Sequence, residues 1–467
     1  MSTTERQLAE LDGAIRRAST WVQEYLQTAG ERPVLAQVAP GEVRSWLPDA
    51  PPEQGEPLDH LLDDFEELVL PGITHWHHPR FFSYFSTSTS APGILAELLI
   101  ATLNANAMLW RTSPAATEVE EVACDWLRQA IGLPEGFSGV INDTASAGTL
   151  YALTAARDAA DPNARAEGVD GRRLRYYTSE EAHSSVEKAG IVLGVGQRGV
   201  VRIPTDAELR LDVRELERAV ARDRDAGLQP FAVVANVGTT STTSIDPVPA
   251  IADLCEREGL WLHVDAAYGG MAAMLPSHRW VLDGCERADS VVVNPHKWLF
   301  TPVDCSVLYC RREDVLRRAF SIVPPYLAET EASEVRNLMD FGTSLGRRFR
   351  GLKLWFVLRA FGLEGVRELL AGHVRMAQDL RSWVEEDPAF EVLAPVPFST
   401  VCFAHRDGDA RTERIVEEVN ASGLAFVSHT KVRGRYAIRM AIGNSGTTPE
   451  DVRAAWDRIQ EAAAVRA

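Results

Sequence analysis

Two apolar, strand-like runs in the middle of the chain end in residues that can do chemistry. The stretch SVVVNPHKWLF (290–300) places Lys297 after a β-branched run, and WLHVDAAYGG (261–270) places Asp265 in the same way. Burying an unpaired ammonium group is costly, so an interior lysine needs either a charged partner or a covalent use. Taken alone, a lysine here is more often a surface residue, and the aspartate a helix cap.

Together the two residues predict a narrower kind of site. A lysine that forms a Schiff base must be available as the neutral amine, so desolvation has to lower its pKa from about 10.4. A carboxylate at the end of a neighbouring strand can then hold a protonated pyridine nitrogen. A lysine for the aldehyde and an aspartate for the ring nitrogen are the minimum set for pyridoxal 5'-phosphate, so Lys297 and Asp265 predict this cofactor.

Two further stretches supply candidates for the rest of such a site. GVINDTASAGTLYALTAARDAA (139–160) brings small residues to a predicted helix start, where open backbone N–H groups suit a phosphate; an ordinary Ser/Thr cap is the alternative. EEAHSSVEKAG (180–190) places His183 after a strand, where a flat imidazole can stack on a ring and meet a substrate carboxylate. HWHHP (75–79) predicts no metal site, because no carboxylate or cysteine cluster accompanies it.

Composition limits the class of protein. A chain of 467 residues with 45% hydrophobic content can bury a large core and is long enough for two or three domains. The net charge of -18 argues against a nucleic-acid-binding surface. No stretch approaches the roughly 20 apolar residues of a membrane span, and the six cysteines show no C-x-x-C spacing. We therefore expect a cytoplasmic protein with reduced thiols that binds neither nucleic acid nor membrane.

The order of predicted elements indicates an α/β architecture. An N-terminal helix over 5–28 and helical patterns around 92–110 and 114–132 come first, and a small α+β region begins at about 361. Between them, apolar runs alternate with helical segments, which favours a mostly parallel sheet covered by helices, with ligands at the carboxyl ends of its strands. The runs predicted as strands are RLRYYTS, GVVRIPT, PFAVVANVG, LWLHVDAAY and SVVVNPHKW.

Seven stretches of the chain match a known family: HPRFFSYF, SPAATEVE, AHSSVEKAG, WLHVDAAYGG, NPHKW, PPYLAE and LGRRFRGLKLWFVLRAFG. On these motifs the chain resembles the pyridoxal-phosphate-dependent group II decarboxylases, and among them the aromatic-L-amino-acid decarboxylases, over nearly its whole length. The resemblance implies fold type I, with a mostly parallel seven-stranded sheet and helices on both faces. It also implies an obligate homodimer and three parts: a helical arm packing across the dimer (1–90), a large cofactor-binding domain (91–360) and a small C-terminal domain (361–467).

The resemblance assigns roles to individual residues. Lys297 would bind the cofactor covalently, Asp265 would pair with the pyridine nitrogen, and His183 would stack on the ring opposite Ala267. Contacts to the phosphate or to the 3'-oxygen of the ring would come from Ala145, Ser146, Asn294, His296 and Thr240. The phosphate loop reads DTASAGT where animal relatives favour a Gly-Ser-Ala-Ser-Glu type of run, and Asn236 stands where the family often has threonine.

The expected substrate is an aromatic L-amino acid of the tryptophan, tyrosine, dihydroxyphenylalanine or phenylalanine type. The resemblance implies a mainly apolar pocket with a few hydroxyl groups and room for an indole ring. Its expected lining is Trp76, Tyr84, Phe85, Ser86, Thr87, His183 and Gly346.

Other enzymes of the same fold are the alternatives. An aminotransferase would need an arginine clamp for a second carboxylate, and a desulfurase a reactive loop cysteine; the sequence shows a motif for neither. An aromatic aldehyde synthase, which decarboxylates and oxidatively deaminates, differs in this family chiefly by a phenylalanine at the loop tyrosine or by an altered histidine. Tyr326, in SIVPPYLAETEASE (321–334), and His183 therefore favour a decarboxylase that releases the amine.

Replacing Tyr326 with phenylalanine tests its expected role as proton donor. If the phenol protonates the substrate α-carbon once carbon dioxide has left, Tyr326→Phe should make amine about 10²–10⁴-fold more slowly, the usual contribution of a general acid. Mass spectrometry and a peroxide assay should then detect aldehyde, ammonia and hydrogen peroxide, with cofactor content unchanged. Amine made at the wild-type rate without aldehyde would instead point to His183 as the donor.

Overall fold

The computed structural model describes residues 2–169, 173–322 and 335–464. Within these ranges the α-helices are α1 Thr3–Thr28, α2 Glu42–Trp46, α3 Leu58–Asp64, α4 Ala91–Leu103, α5 Pro114–Ile131, α6 Ala145–Ala160, α7 Ala164–Glu167, α8 Ser184–Val192, α9 Val213–Asp225, α10 Val248–Glu258, α11 Pro295–Trp298, α12 Glu313–Phe320, α13 Gly351–Glu386, α14 Asp409–Ala421 and α15 Pro449–Ala464. The strands are β1 Phe81–Phe82, β2 Ser138–Asn142, β3 Leu174–Ser179, β4 Val200–Ile203, β5 Gln229–Asn236, β6 Trp261–Asp265, β7 Ser290–Val293, β8 Ser306–Cys310, β9 Phe390–Val392, β10 Thr400–His405, β11 Phe426–Val432 and β12 Arg435–Ala441.

A seven-stranded sheet forms the centre of the described chain, in the order β2-β8-β7-β6-β5-β3-β4. Strand β8 runs antiparallel to both of its neighbours, and the remaining pairs are parallel. The strands are nearly continuous apolar runs because helices cover both faces of the sheet. The predicted parallel sheet between helices is confirmed, and all five predicted strands lie in it.

Successive side chains of the strands enter two separate cores, one on each face of the sheet. Tyr177 and Val233 pack into the larger core, whereas Tyr176 and Val234 pack into the core on the opposite face. This division follows from the two-residue repeat of a β-strand.

The smaller sheet, in the order β1-β11-β12-β10-β9, combines the C-terminal strands with a short strand from the N-terminal part. Phe81 pairs in parallel with Phe426, so the segment that follows β1 is anchored to the C-terminal sheet. Helix α13 is interrupted at Gly362, whose φ of 61° and ψ of 174° are not helical. This break lies beside the boundary expected at 360/361; the three-part division remains a prediction.

Helix α4 ends earlier than the sequence pattern predicted. The apolar pattern extended to about 110, but the helix ends at Leu103, and Asn104 adopts a left-handed conformation with φ 46°. Asparagine tolerates this conformation better than most residues and commonly ends helices in this way. The predicted start of the next helix is confirmed, since α5 begins at Pro114 directly after Ser113.

A buried ion pair fixes the end of β2, from which the chain enters α6. Arg347 Nη2 lies 2.8 Å from Glu120 Oε1 and donates to the carbonyl oxygen of Ile141 at 2.5 Å. The backbone N–H of Ile141 donates to the same Glu120 oxygen at 2.9 Å. Each charged group here has the other and a backbone group of Ile141 as partners, and these contacts hold the path of the chain into α6.

All six cysteines are buried and form no disulfide bonds. Over the described ranges, no three His, Cys, Asp or Glu side chains are grouped in a way that would hold a metal ion. None of the helices described is both long and apolar enough to cross a membrane.

Candidate active site

The carboxyl ends of three neighbouring parallel strands meet at one edge of the central sheet. Asn236 at the end of β5 pairs with Asp265 at the end of β6, and Asp265 pairs with Val292 of β7. The backbone N–H of Asn294 then donates to the carbonyl oxygen of Ala267 at 3.1 Å. The convergence of polar strand ends predicted from the sequence is thus observed.

These strand ends border a cavity of about 170 Å³, which we call the inner chamber. All the residues that the resemblance assigned to the cofactor line it. The chamber is lined by Phe85, Thr144, Ala145, Ser146, His183, Ser185, Asn236, Gly238, Thr240, Asp265, Ala267, Tyr268, Asn294, His296 and Lys297.

Lys297 has no counter-ion at contact distance. It lies on the one-turn helix α11, just beyond the strand, and its Nζ has no hydrogen-bond or ion-pair partner within the described chain. The Nζ lies over the ring of Phe85, 5.2 Å from its centroid. Burial lowers the pKa of Lys297, and the charge of Asp265 only partly opposes this effect. The geometry therefore favours the neutral, nucleophilic amine.

Asp265 is oriented by the turn that follows its own strand. The backbone N–H of Ala267 donates to Asp265 Oδ1 at 3.1 Å, so the carboxylate is held at the chamber wall. Ala267, which is 5% exposed, contributes only a methyl group to the same wall. A flat ring can therefore lie against Ala267 while its edge faces the carboxylate.

The N-terminus of α6 lines another part of the chamber. Thr144 caps this helix, and its Oγ1 accepts a hydrogen bond from the N–H of Ala147 at 3.3 Å. The N–H groups of Ala145 and Ser146 have no acceptor within the helix and border the chamber. The helix dipole adds a partial positive charge, so this end suits an anion. The alternative reading from the sequence, a Thr cap, is also present, and the two are compatible.

His296 and Asn294 form a polar wall next to Lys297. Asn294 Oδ1 accepts from Ser306 Oγ at 2.6 Å, and His296 Nδ1 accepts from the backbone N–H of Cys305 at 2.9 Å. Burial, reinforced by the charge of Lys297, lowers the pKa of His296 to about 3. The ring is therefore neutral, and because Nδ1 is an acceptor its proton lies on Nε2.

His183 lines the chamber at the start of α8. Its Nδ1 accepts from the backbone N–H of Ser185 at 3.2 Å and lies 2.8 Å from Ser185 Oγ. Partial removal from water, with a further contribution from the charge of Lys297, lowers the pKa of His183. The imidazole is thus a neutral, flat group whose Nε2 carries the proton. Ser185, which fixes this orientation, was not singled out from the sequence.

A second cavity of about 350 Å³, the outer chamber, adjoins the first and shares Phe85, His183, Thr240, His296 and Lys297 with it. One side of the outer chamber is aromatic. Trp76 and Tyr84 stack with their ring centroids 5.8 Å apart and are 40% and 56% exposed. The remaining lining residues are Thr87, Ser241, Ser428, His429, Thr430 and Arg439.

Two residues predicted for the substrate pocket, Ser86 and Gly346, do not line either chamber as described. Ser86 is buried, and its hydroxyl donates to the carbonyl oxygen of Phe81 at 3.3 Å, so it faces the protein interior. Gly346 lies beside Asn106 and lines neither chamber of this chain, so its role stays a prediction. Tyr326 lies outside the described residues.

Arg439 is the main site residue that the sequence analysis missed. It is 4% exposed, and its guanidinium carbon lies 4.6 Å from the centroid of the Phe85 ring. Its N–H groups donate to the carbonyl oxygens of Ser241 at 2.9 Å, Thr240 at 3.0 Å and Tyr84. An arginine in the otherwise apolar run YAIRMAI (436–442) was the available signal, because a charge there must face a polar site or a partner.

Asp246 is a second missed residue, and it holds Asn236 in place. Asp246 Oδ2 accepts from the backbone N–H of Asn236 at 2.7 Å and from its Nδ2 at 2.8 Å. Burial raises the pKa of Asp246 to about 6. The two hydrogen bonds to Asp246 therefore fix Asn236 at the chamber wall. Asn236 is the residue that departs from the family pattern.

Comparison with known proteins identifies the family. Residues 40–406 match the family model described as the pyridoxal-dependent decarboxylase conserved domain. The chain belongs to the pyridoxal-dependent decarboxylase family.

Relatives of this decarboxylase match it along most of their length. It is 39% identical to a phenylacetaldehyde synthase from Arabidopsis thaliana, over 95% of this chain and 94% of that protein. It is 38% identical to the aromatic-L-amino-acid decarboxylase of Sus scrofa, again over 95% and 94%. The crystal structure of Oryza sativa TDC with PLP and tryptamine has a TM-score of 0.95 and 38% identity, covering 97% of this chain and 98% of that one. The predicted family and fold type I are confirmed.

The inner chamber of the decarboxylase fits the cofactor of the family, pyridoxal phosphate. The open N–H groups at the start of α6 suit the phosphate, and the carboxylate of Asp265 suits a protonated ring nitrogen. Lys297, an amine without a counter-ion, suits the aldehyde. The three groups border one cavity, so a single molecule can reach all of them.

Covalent capture of pyridoxal phosphate should reveal the lowered pKa of Lys297. Only the neutral amine attacks the aldehyde, so the rate should be independent of pH above the pKa and fall about tenfold per pH unit below it. Because the pKa of Lys297 is lowered from its ordinary value of 10.5, the plateau should extend to lower pH than for lysine in solution. Stopped-flow absorbance of the cofactor-free full-length chain measures this, with Lys297→Ala as the blank. A rate that begins to fall near pH 10.5 would show that the site does not desolvate the amine.

Proposed function

We propose that this enzyme decarboxylates aromatic L-amino acids to the corresponding amines and carbon dioxide. The observation that carries the proposal is the position of Lys297. Its amine lies at the junction of a chamber bounded by Asp265 and the start of α6 with an outer chamber that has an aromatic wall. The aromatic-L-amino-acid decarboxylase of Sus scrofa, 38% identical, gives independent support for this substrate class.

When bound, pyridoxal phosphate supplies an electron sink for the pair of electrons left by cleavage of the bond to the carboxylate. Lys297 would hold the aldehyde covalently, and Asp265 would keep a proton on the ring nitrogen. The start of α6 would hold the phosphate, with Asn294 and His296 beside it. These roles follow from the charges and hydrogen-bonding groups at each end of the inner chamber.

His183 and Ala267 would hold the ring between them, and Thr240 would contact the 3'-oxygen. Because the pKa of His183 is lowered, its neutral imidazole packs on a ring without adding charge to the site. Its Nε2 proton is then available to a substrate carboxylate. Tyr326 completes the proposal as the proton donor to the α-carbon.

The substrate binds with its side chain in the outer chamber. Trp76, Tyr84 and Phe85 present aromatic faces to it, and Thr87 adds a hydroxyl. These faces suit an aromatic side chain, whose burial is worth roughly 1.5–3 kcal/mol. An acidic side chain would gain nothing from the aromatic wall, and Arg439, the cation of this chamber, already donates to three carbonyl oxygens.

Arg439 attracts the carboxylate of the substrate. It is the only arginine or lysine other than Lys297 that lines either chamber in the described chain. Its guanidinium group already donates hydrogen bonds to three carbonyl oxygens. It can therefore orient a substrate carboxylate but has few N–H groups left to bind it tightly. Such partial neutralisation suits a decarboxylase, because tight binding of the ground-state carboxylate would oppose its loss.

The enzyme is proposed to act as a cytoplasmic homodimer. Four leucines on α4, Leu95, Leu98, Leu99 and Leu103, recur at helical spacing and are each between 39% and 63% exposed. A continuous apolar face of this kind is typical of a surface that another chain covers. Six buried, unpaired cysteines suit a reducing compartment.

Turnover of a substrate panel tests the proposed reaction. The purified enzyme should convert tryptophan, tyrosine and dihydroxyphenylalanine to amines faster than it converts glutamate or aspartate, as measured by mass spectrometry. Lys297→Ala should abolish turnover and the borohydride-reducible label on the protein, whereas the exposed Lys188→Ala should retain both. Preferential turnover of the acidic amino acids would refute the substrate class. Aldehyde, ammonia and peroxide as the main products would make the enzyme an aldehyde synthase instead.

Charges on the apolar face of α4 should separate the proposed dimer. In Leu95→Glu/Leu98→Glu, two carboxylates would be desolvated at the interface, so the chain should sediment as a monomer at concentrations where the wild type is a dimer. Analytical ultracentrifugation measures the mass. Val192→Glu is the matched control, since Val192 is also an exposed apolar residue on a helix but lies outside α4. An unchanged mass for the double variant would exclude this face as the interface.

A further inference from the structure

His263 is a fully buried histidine whose two ring nitrogens both lie close to hydroxyl groups. Its Nε2 is 3.2 Å from Thr149 Oγ1, and its Nδ1 is 2.9 Å from Ser290 Oγ. Trp261 Nε1 donates to the same serine oxygen at 3.0 Å. Burial lowers the pKa of His263 to about 4, so the ring is neutral and bridges two hydroxyl groups without introducing a charge.

His263 and its partner Thr149 belong to two elements, β6 and α6, that both line the inner chamber. Thr149 lies in α6, one turn after Ala145 at the helix start, and so belongs to the helix that presents N–H groups to a phosphate. His263 lies two residues before Asp265 on β6, and hence on the same face of the strand. Their contact directly links the phosphate end of the chamber to the strand that carries the ring-nitrogen carboxylate.

Helix α6 is also held close to the sheet at the neighbouring residue. A Cβ atom at Gly148 would lie 3.0 Å from Val292 Cγ2 of β7, which is tighter than most packing contacts. Gly148 therefore permits the close approach, and the adjacent Thr149 adds a directional hydrogen bond. Packing limits how near the helix lies, while the hydrogen bond limits how far it can slide along the strand.

We propose that His263 and Thr149 are positioning residues that set the distance between the phosphate-binding end of α6 and Asp265, and thereby match the chamber to the length of pyridoxal phosphate. The inference rests on the proposed roles of Asp265 and of the start of α6. A ligand that contacts both ends gains from having them correctly spaced, whereas a ligand that contacts one end does not. Binding groups must be held within about 0.5 Å of their productive positions for this gain to be realised.

The test compares ligands that span the chamber with ligands that reach only one end. The full-length chain is freed of cofactor, and dissociation constants are measured for pyridoxal phosphate, for pyridoxal without phosphate and for inorganic phosphate alone. Absorbance reports the first two, and calorimetry reports the third. Thr149→Val removes the hydroxyl and keeps the shape of the side chain, and Thr149→Ser is the matched control that keeps the hydroxyl.

Thr149→Val should bind pyridoxal phosphate about 5- to 10-fold more weakly, the effect of one lost hydrogen bond. Its affinities for pyridoxal and for inorganic phosphate should change less than about twofold, and Thr149→Ser should resemble the wild type in all three. Thr149→Ala is measured alongside, because it removes the hydroxyl without placing a methyl group against the imidazole, and it should show the same selective loss.

Equal losses for all three ligands would indicate general loosening of the fold and would overturn the proposal. Unchanged affinity for pyridoxal phosphate in Thr149→Val would also overturn it. Measurements on the wild-type chain distinguish a failure of the proposed function from a failure of the positioning role alone. If the wild-type chain takes no pyridoxal phosphate onto Lys297, the assignment of the site itself is wrong, and the positioning role is overturned with it.

Discussion

The site depends on one electrostatic constraint: the amine of Lys297 is desolvated next to a carboxylate that does not pair with it. An ion pair with Asp265 would stabilise the ammonium form, and full exposure to water would do the same. The fold avoids both. Asp265 is held by the N–H of Ala267, and Lys297 lies against the ring of Phe85. The desolvation that lowers the pKa of Lys297 therefore keeps a nucleophile ready, and the carboxylate remains free to hold a different cation.

The histidines of the site obey the same constraint. Burial lowers the pKa of His296 to about 3 and that of His263 to about 4, and the pKa of His183 is also lowered. A charged imidazole at any of these positions would compete for Asp265 or repel a protonated ring. Because the three rings are neutral, they act as hydrogen-bonding and packing groups. Besides Lys297, Arg439 is the only lysine or arginine that borders the chambers in the described chain.

The sequence predicted those parts of the site that lie directly after the strands of the parallel sheet. Lys297 and Asp265 follow apolar runs, and in a parallel sheet such runs must end at the same edge, so their proximity followed from topology. Arg439 was not predictable in this way, because it reaches the site from β12 of the second sheet. Only the packing of that sheet against the loop at Thr240 and Ser241 brings it there.

The neighbours of a residue in the sequence do not show which way its side chain points, and in this part of the site that direction decides the role. Phe85 lines both chambers, but the adjacent Ser86 turns inward to the carbonyl of Phe81. Tyr84 adopts a φ of 53°, a conformation uncommon outside glycine, so the backbone here does not follow a regular strand. A motif such as FFSYF therefore locates the wall but does not say which of its side chains face the substrate.

Packing, more than hydrogen bonding, fixes where the reactive amine lies relative to that wall. The ring of Phe85 stacks on Tyr268 with a centroid distance of 3.9 Å, and Tyr268 stacks on Trp298 at 4.7 Å. Trp298 directly follows Lys297 in α11, so one aromatic column joins the substrate wall to the helix that carries the amine.

The face of Phe85 attracts an ammonium group by about 0.5–2 kcal/mol, and this attraction opposes the neutral form of Lys297. Desolvation outweighs this attraction, since the pKa of Lys297 is lowered and not raised. Apolar contacts therefore set the position of the amine, and the water they exclude sets its protonation state.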